Sequence, residues 1–196
     1  MPNIQSRVLQ RQAPLRAAYQ KDPQPALIVK HVRTAALPGT DALHGVVIPG
    51  DQYNVSVKYG IDRAVGGDHD APNPGELLCA ALAACEDATI RMVADVLGVV
   101  LEDLEVEVIG RVDVRASLGM DVDSPLEFQT MECKAHIRVA PGTIRVAPGT
   151  PPALVQRLKV GAERSCINLA TLRRGVPVDL SFDVGEMGSD SGAASA

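Results

Sequence analysis

Asn73-Pro74-Gly75-Glu76-Leu77-Leu78-Cys79-Ala80-Ala81-Leu82-Ala83-Ala84-Cys85 opens the longest helical pattern in the chain. The residues before it, Gly66-Gly67-Asp68-His69-Asp70-Ala71-Pro72, favour turns and loop, so the pattern predicts a helix from Glu76 to about Leu97, closed by Gly98. From Leu77 to Cys85 this helix is apolar all round and rich in small side chains, which predicts burial and close approach by another helix or a partner subunit. Its second half is amphipathic. Asp87, Arg91 and Asp95 recur every four residues and predict a ladder of exposed ion pairs.

Upstream, residues 1–24 are polar, with Pro14 and Pro23 around a helix-compatible stretch from Leu15 to Gln20, and read as an arm. Ala26 to Thr34 and Tyr53 to Tyr59 read as strands. Downstream, Leu104, Val106, Val108, Val112 and Val114 alternate with charged residues, predicting a half-buried strand broken near Gly110. A second strand is expected over Leu126 to Val139, where a shift in apolar phase predicts a bulge near Thr130. Ile137 to Thr143 is repeated letter for letter as Ile144 to Thr150, a loop or strand-end insertion. Thr150 and Pro151 start a second helix through about Arg164, with Leu154, Leu158 and Ala162 as its buried stripe. Ile167 to Arg174 form a short helix ended by Gly175, and Val176 to Val184 alternate as a final strand. This order of strands, long helix, strands, second helix and strand is α+β. One domain over residues 25–185 is expected, followed by a small, polar, disordered tail at 186–196.

Composition narrows the function. Hydrophobic residues make up 46% and charged residues 22%, as in globular proteins, but aromatics are only 3%, so aliphatic side chains must fill the core. A net charge of -5 argues against nucleic-acid binding, which depends on clustered Lys and Arg. No stretch has the length of a membrane span or the form of a signal peptide, so a cytoplasmic location is expected. In that reducing setting Cys79, Cys85, Cys133 and Cys166 are catalytic, redox-sensing or simply buried rather than a disulfide framework.

Cys85 falls on the stripe Leu78, Ala81, Thr89, Met92 and Val96, where the ordinary reading of a helical cysteine is a small buried hydrophobe. Cys79 points to a different face, and Cys133 lies on the apolar side of a strand; both read as core. Cys166 starts a short helix, where partial positive charge and free N–H groups favour a thiolate. The four histidines show no metal-ligand spacing, and no metal or cofactor is expected. Glu86 shares a stripe with Cys79, Leu82, Ile90, Val93 and Leu97, so it sits either at a wet edge or as a carboxylate held in an apolar setting.

Ala71-Pro72-Asn73-Pro74-Gly75-Glu76-Leu77-Leu78 through Ala81-Leu82-Ala83-Ala84-Cys85, together with Ala162-Glu163-Arg164-Ser165-Cys166, resembles the two cysteine motifs of the OsmC/Ohr family, the osmotically inducible and organic hydroperoxide resistance proteins. The resemblance implies an OsmC-like fold, an intertwined homodimer and a thiol-dependent peroxidase acting on organic hydroperoxides or hydrogen peroxide. Cys85 would be the peroxidatic cysteine and Cys166 the resolving one, with a dithiol reductant reopening their disulfide. The family's catalytic glutamate follows the Asn-Pro pair, where this chain has Gly75; Glu76 is adjacent but about 100° further round the helix. Arg63 matches the family arginine if the intervening loop is longer by a couple of residues. The competing reading is a non-enzymatic dimer of the same fold that binds a small apolar molecule or senses oxidants through the same cysteines.

Overall fold

The computed structural model describes residues 6–35, 41–139 and 151–182. Its elements run α1 (Arg7–Lys21), β1 (Arg33–Thr34), β2 (His44–Ile48), β3 (Val57–Gly60), α2 (Pro74–Leu97), β4 (Leu101–Arg111), β5 (Thr130–Val139), α3 (Pro151–Ser165) and α4 (Ile167–Arg174). β1, β2 and β3 form an antiparallel sheet, with Thr34 opposite Val47 and Val46 opposite Lys58. β4 and β5 form a second antiparallel pair, in which Leu104 faces Ile137, Val106 faces Ala135 and Val108 faces Cys133. The α+β class follows directly from this order.

The central helix begins two residues earlier than the apolar pattern, because Pro74 can occupy the first helical turn without a missing partner for its absent N–H. Asn73 and Glu76 close a capping box: the Glu76 N–H donates to Asn73 Oδ1 and the Asn73 N–H donates to Glu76 Oε2, each at 2.9 Å. Gly98 ends the helix in the left-handed region at φ 69°, where its lack of a Cβ removes the steric cost. Arg91 pairs with Asp87 through two hydrogen bonds of 2.8 and 2.9 Å, but Asp95 does not continue the ladder. Its carboxylate instead accepts from Ser6 Oγ and, at 2.9 Å, from the Val8 N–H, and so anchors the start of α1. The arm is therefore helical from Arg7 to Lys21, straight through Pro14, rather than only near Leu15 to Gln20.

The core lies between α2, the β4–β5 pair and α3. Ala94, Val99 and Leu158 form one buried cluster, and Ile90, Leu104 and Ala162 another. Along α2 the buried stripe is the one carrying Leu82, Glu86 and Ile90. The stripe of Cys85 is different: Leu78, Met92 and Val96 are exposed in the single chain, and Thr89 is buried. The long helix is thus only partly covered, because one two-stranded sheet and the three helices α1, α3 and α4 do not surround it.

Several strand expectations shift for the same reason of missing partners. The only strand residues in Ala26 to Thr34 are Arg33 and Thr34; Leu27, Ile28 and Val29 are exposed. β3 starts at Val57, since Asp51–Tyr53 form a 3-10 turn and Asn54 takes a left-handed conformation. The last-strand segment forms no strand over residues 176–182, and Val178, Leu180 and Phe182 are exposed. Among the described residues it joins neither sheet. β4 ends at Arg111, and the irregularity of the β4–β5 ladder lies between Leu101 and Asp103 rather than near Thr130, where β5 simply begins. The strand carrying His44–Ile48 was not expected from the pattern.

α4 ends at Gly175 as expected. The second copy of the repeat, Thr150 as a cap, the Leu154 side chain, Val184 and the 186–196 tail lie outside the described residues. No helix among the described residues is long and apolar enough to cross a membrane.

Candidate active site

α2 carries Cys85, and the α3–α4 junction carries Cys166. Cys166 leaves α3 in an extended conformation (φ -80°, ψ 108°) and caps α4, accepting from the Leu169 N–H at 3.4 Å. Two residues on, Asn168 Nδ2 donates to the Ala81 carbonyl at 2.8 Å, which ties the first turn of α4 to α2 one turn before Cys85. Cys85 and Glu86 of α2 are thereby the side chains that bear on the Cys166 thiol. Residues far apart in sequence thus meet at one point. Thr89 Oγ donates to the Cys85 carbonyl at 2.7 Å, using its hydroxyl inside the helix and leaving the site apolar on that side.

The electrostatics of Cys166 differ from the sequence expectation. The helix start does supply an N–H, but the side chain is only 1% exposed, and burial pushes its thiol up to about 12 against the Leu169 hydrogen bond. Cys85 and Glu86 push in the same direction as burial. Desolvation wins over the helix terminus here. Cys166 is therefore a buried neutral thiol, whereas Cys85 is half-buried.

A cavity of about 700 Å³ is walled by Leu82, Glu86 and Ile90 of α2, Cys133 of β5, Ala162 of α3 and Leu169 of α4; Glu86 and Leu169 bring it next to the cysteines, which do not themselves line it. Cys133, expected in the core, is exposed on this wall, because the apolar face of β5 fronts the cavity instead of packing; partial burial and then the charge of Glu86 raise its thiol. Cys79 is half-buried, and burial, followed by the charge of Glu76, raises its thiol.

The remaining sequence candidates stand elsewhere. Glu76 is exposed and engaged in its own capping box. Arg63 is exposed in a 3-10 turn that Asp62 caps, and Asp62 also accepts from Asn73 Nδ2 at 3.2 Å. Glu76 lies on a second hollow lined also by Asp62, Asn73, Cys79, Val108 and Phe128, on another stripe of α2, and Arg63 follows Asp62 without lining it. Within one chain, then, Cys85, Cys166 and Glu86 come together, and Arg63 and Glu76 do not join them. Asn168 was missed by the sequence reading, and the burial of Glu86 was signalled only by its misplaced charge on an apolar stripe.

The OsmC-like protein family model matches residues 67–181. No functionally curated protein matches the chain. Among solved structures, the chain is similar to an OsmC-like protein from Mycoplasma pneumoniae, with TM-score 0.56 and 13% identity over 76% of this chain and 89% of that one. It is also similar to an organic hydroperoxide resistance protein OsmC from Legionella pneumophila (TM-score 0.52, 22% identity, 81% and 98% covered). A third is an OsmC-like protein of unknown function from Vibrio cholerae (TM-score 0.58, 10% identity, 74% and 94% covered). At these identities the structural likeness is one of fold. The family match spans more than half of the sequence, includes both Cys85 and Cys166, and places this chain in the OsmC-like protein family.

Proposed function

We propose that the chain is a homodimeric thiol peroxidase in which Cys85 reduces a hydroperoxide and Cys166 resolves the product. The observation that carries this reading is the docking of the start of α4, which Cys166 caps, onto α2 one turn before Cys85, with a cavity next to them walled by Glu86 and Leu169. A Cys85 thiolate attacks the terminal peroxide oxygen, the O–O bond breaks, and the alkoxide leaves as alcohol after taking a proton; Cys85 becomes a sulfenic acid. Cys166 then displaces the sulfenic hydroxyl as water and forms a disulfide, which a dithiol reduces back to two thiols. The mostly aliphatic cavity suits an organic hydroperoxide better than hydrogen peroxide. The Legionella pneumophila relative of this fold is an organic hydroperoxide resistance protein, which fits the same chemistry.

The dimer is part of the proposal. Leu78, Met92 and Val96 on α2, Leu27, Ile28 and Val29 before β1, and Val178, Leu180 and Phe182 after α4 are all exposed in one chain, far more apolar surface than a monomer ordinarily shows. A second copy covers these surfaces and supplies strand partners for the two extended segments. Arg63 and Glu76, exposed and away from their own Cys85, support a thiolate in this reading only across that interface. Turnover with dithiothreitol, comparing cumene hydroperoxide, hydrogen peroxide and no peroxide, tests the activity. Sedimentation that finds a folded monomer at micromolar concentration removes the dimer.

The cavity also favours a second reading, a binding protein for a small apolar molecule with the cysteines as oxidant sensors. It predicts oxidation of Cys85 without turnover.

A further inference from the structure

We propose that the cavity between α2, β5, α3 and α4 binds a small amphipathic amine, its ammonium group held by Glu86 and its aliphatic body lying along the apolar wall. Neither of the readings above gives Glu86 a role, and the inference stands or falls without them.

A carboxylate on a core-facing stripe is costly unless something repays its lost hydration, and the usual remedy is a cation. Glu86 is 6% exposed, between Leu82 at 2% and Ile90 at 4% on the same face of α2. The ion pairs of the described residues all use other carboxylates. Glu86 does line the cavity, so a cation can reach it through that space. The other charged side chains on the cavity are Glu127, Lys159, Glu163 and Arg173, all exposed, and Arg173 is drawn to Glu163 at 3.4 Å. The buried charge is thus negative and uncompensated, while the exposed charges around it are of both signs.

The chemistry of the wall decides which cation. Leu82, Ile90, Ile137, Leu158 and Ala162 make it largely aliphatic, and about 700 Å³ is the size of a site for a small organic molecule. A divalent metal ion draws on several ligands at once, and the described residues hold no group of three His, Cys, Asp or Glu side chains that could supply them. An ammonium group needs only a charge-assisted hydrogen bond to one carboxylate, and its carbon chain gains by leaving water for the wall. An organic hydroperoxide would use the same aliphatic wall; the amine differs in using Glu86. The space opens along β5, where Cys133 and Ala135 are exposed, and an occupant meets Glu86 and Leu169, beside the cysteine pair and not on it.

The test is calorimetric titration of the full chain at pH 7, without peroxide, with octylamine, 1-octanol and octanoate on wild type, Glu86→Gln and Ala135→Trp. The three probes share a carbon chain and differ in the charge of the end group, the amine being a cation at this pH. Wild type is expected to bind octylamine about tenfold or more tightly than 1-octanol, and octanoate least. Glu86→Gln keeps the shape and removes the charge, so octylamine should weaken about tenfold while 1-octanol is unchanged. Ala135→Trp fills the cavity from its open side, at an exposed strand position that tolerates an indole, and should weaken octylamine and 1-octanol alike. Equal binding of octylamine and 1-octanol, or octylamine unchanged in Glu86→Gln, overturns the role of Glu86. Octanoate as the tightest probe overturns the sign of the site, and octylamine unchanged in Ala135→Trp overturns its place. Octylamine that does not bind wild type at all overturns the site, the space then being filled by a second copy. Should Glu86→Gln fail to fold, the order of the three probes on wild type and Ala135→Trp still decides. Peroxide turnover, measured separately, is untouched by any of these results.

Discussion

Gly161→Ala probes the contact that sets the distance between α2 and α3, and with it the meeting of Cys85 and Cys166. A Cβ built at Gly161 would lie 2.7 Å from Val93 Cγ1, 3.1 Å from Cγ2 and 3.5 Å from Cβ. Carbon atoms pack at about 3.5–4.0 Å, so the closest approach is short by about 1 Å. Overpacking of this kind costs roughly 1–3 kcal/mol, and alanine in place of glycine within a helix returns about 1 kcal/mol, leaving a net loss of about 1 kcal/mol. In a Val93→Ala background both offending methyls are gone, and the same Gly161→Ala change should stabilise by about 1 kcal/mol. The double-mutant cycle therefore carries a coupling of about 2 kcal/mol with a reversal of sign. Urea denaturation of the four proteins at one protein concentration measures it. An equal destabilisation in both backgrounds, or stabilisation in each, would refute the close packing of α3 on Val93. The geometry makes a further demand: Gly161→Ala should slow disulfide formation as α3 is pushed from α2, and Val93→Ala should restore it.

Cys79→Ala and Cys133→Ala should keep peroxidase turnover, the half-buried Cys79 costing on the order of 1 kcal/mol in urea and the exposed Cys133 less; loss of turnover in a folded variant would mean that the active pair is assigned wrongly. The His44 ring donates to Asp70 at 2.9 Å and to Asp41 at 2.7 Å when protonated, and these hydrogen bonds, Asp70 first, raise its pKa above the ordinary histidine value. Its contribution to stability is therefore fully present below about pH 6.5 and is lost as pH rises through the raised value, so stability against pH should lose this component in His44→Gln. An unchanged pH profile in that variant would contradict the pairing. Asp95→Ala removes the acceptor of Ser6 and Val8, and trypsin should then cut α1 at Arg7, Arg11 or Arg16 faster while α2 stays resistant.

Local signals carried α2 almost whole: a proline at its first turn, asparagine as its cap and glycine at its end are instructions written within a few residues of each other. The same holds for α4 and Gly175, and the alternation along Leu104, Val106 and Val108 marked β4. The pattern could not tell whether an alternating segment finds a neighbour. Val176 to Phe182 alternates as well as β4 does, yet in one chain no strand pairs with it, because alternation records two chemically different faces and says nothing of the edge. His44–Ile48 was overlooked for the opposite reason, since a short strand holding Gly45 has little pattern to show. At the site, both cysteines were legible from their motifs, but the state of Cys166 was not. A helix start lowers a thiol's pKa and burial raises it, and only the packing of α2 against the α3–α4 junction decides which is larger. The hydrogen bond from Asn168 to the Ala81 carbonyl lies beyond any local reading, as the two residues come from different elements.

Mass spectrometry of the protein treated with one equivalent of cumene hydroperoxide, after free thiols are blocked, tests the central claim most directly. The account predicts one intramolecular disulfide between Cys85 and Cys166, which requires their Cα atoms within about 7 Å, with Cys79 and Cys133 left as blocked thiols. Cys85 recovered as a free thiol from folded protein under excess hydroperoxide would contradict it.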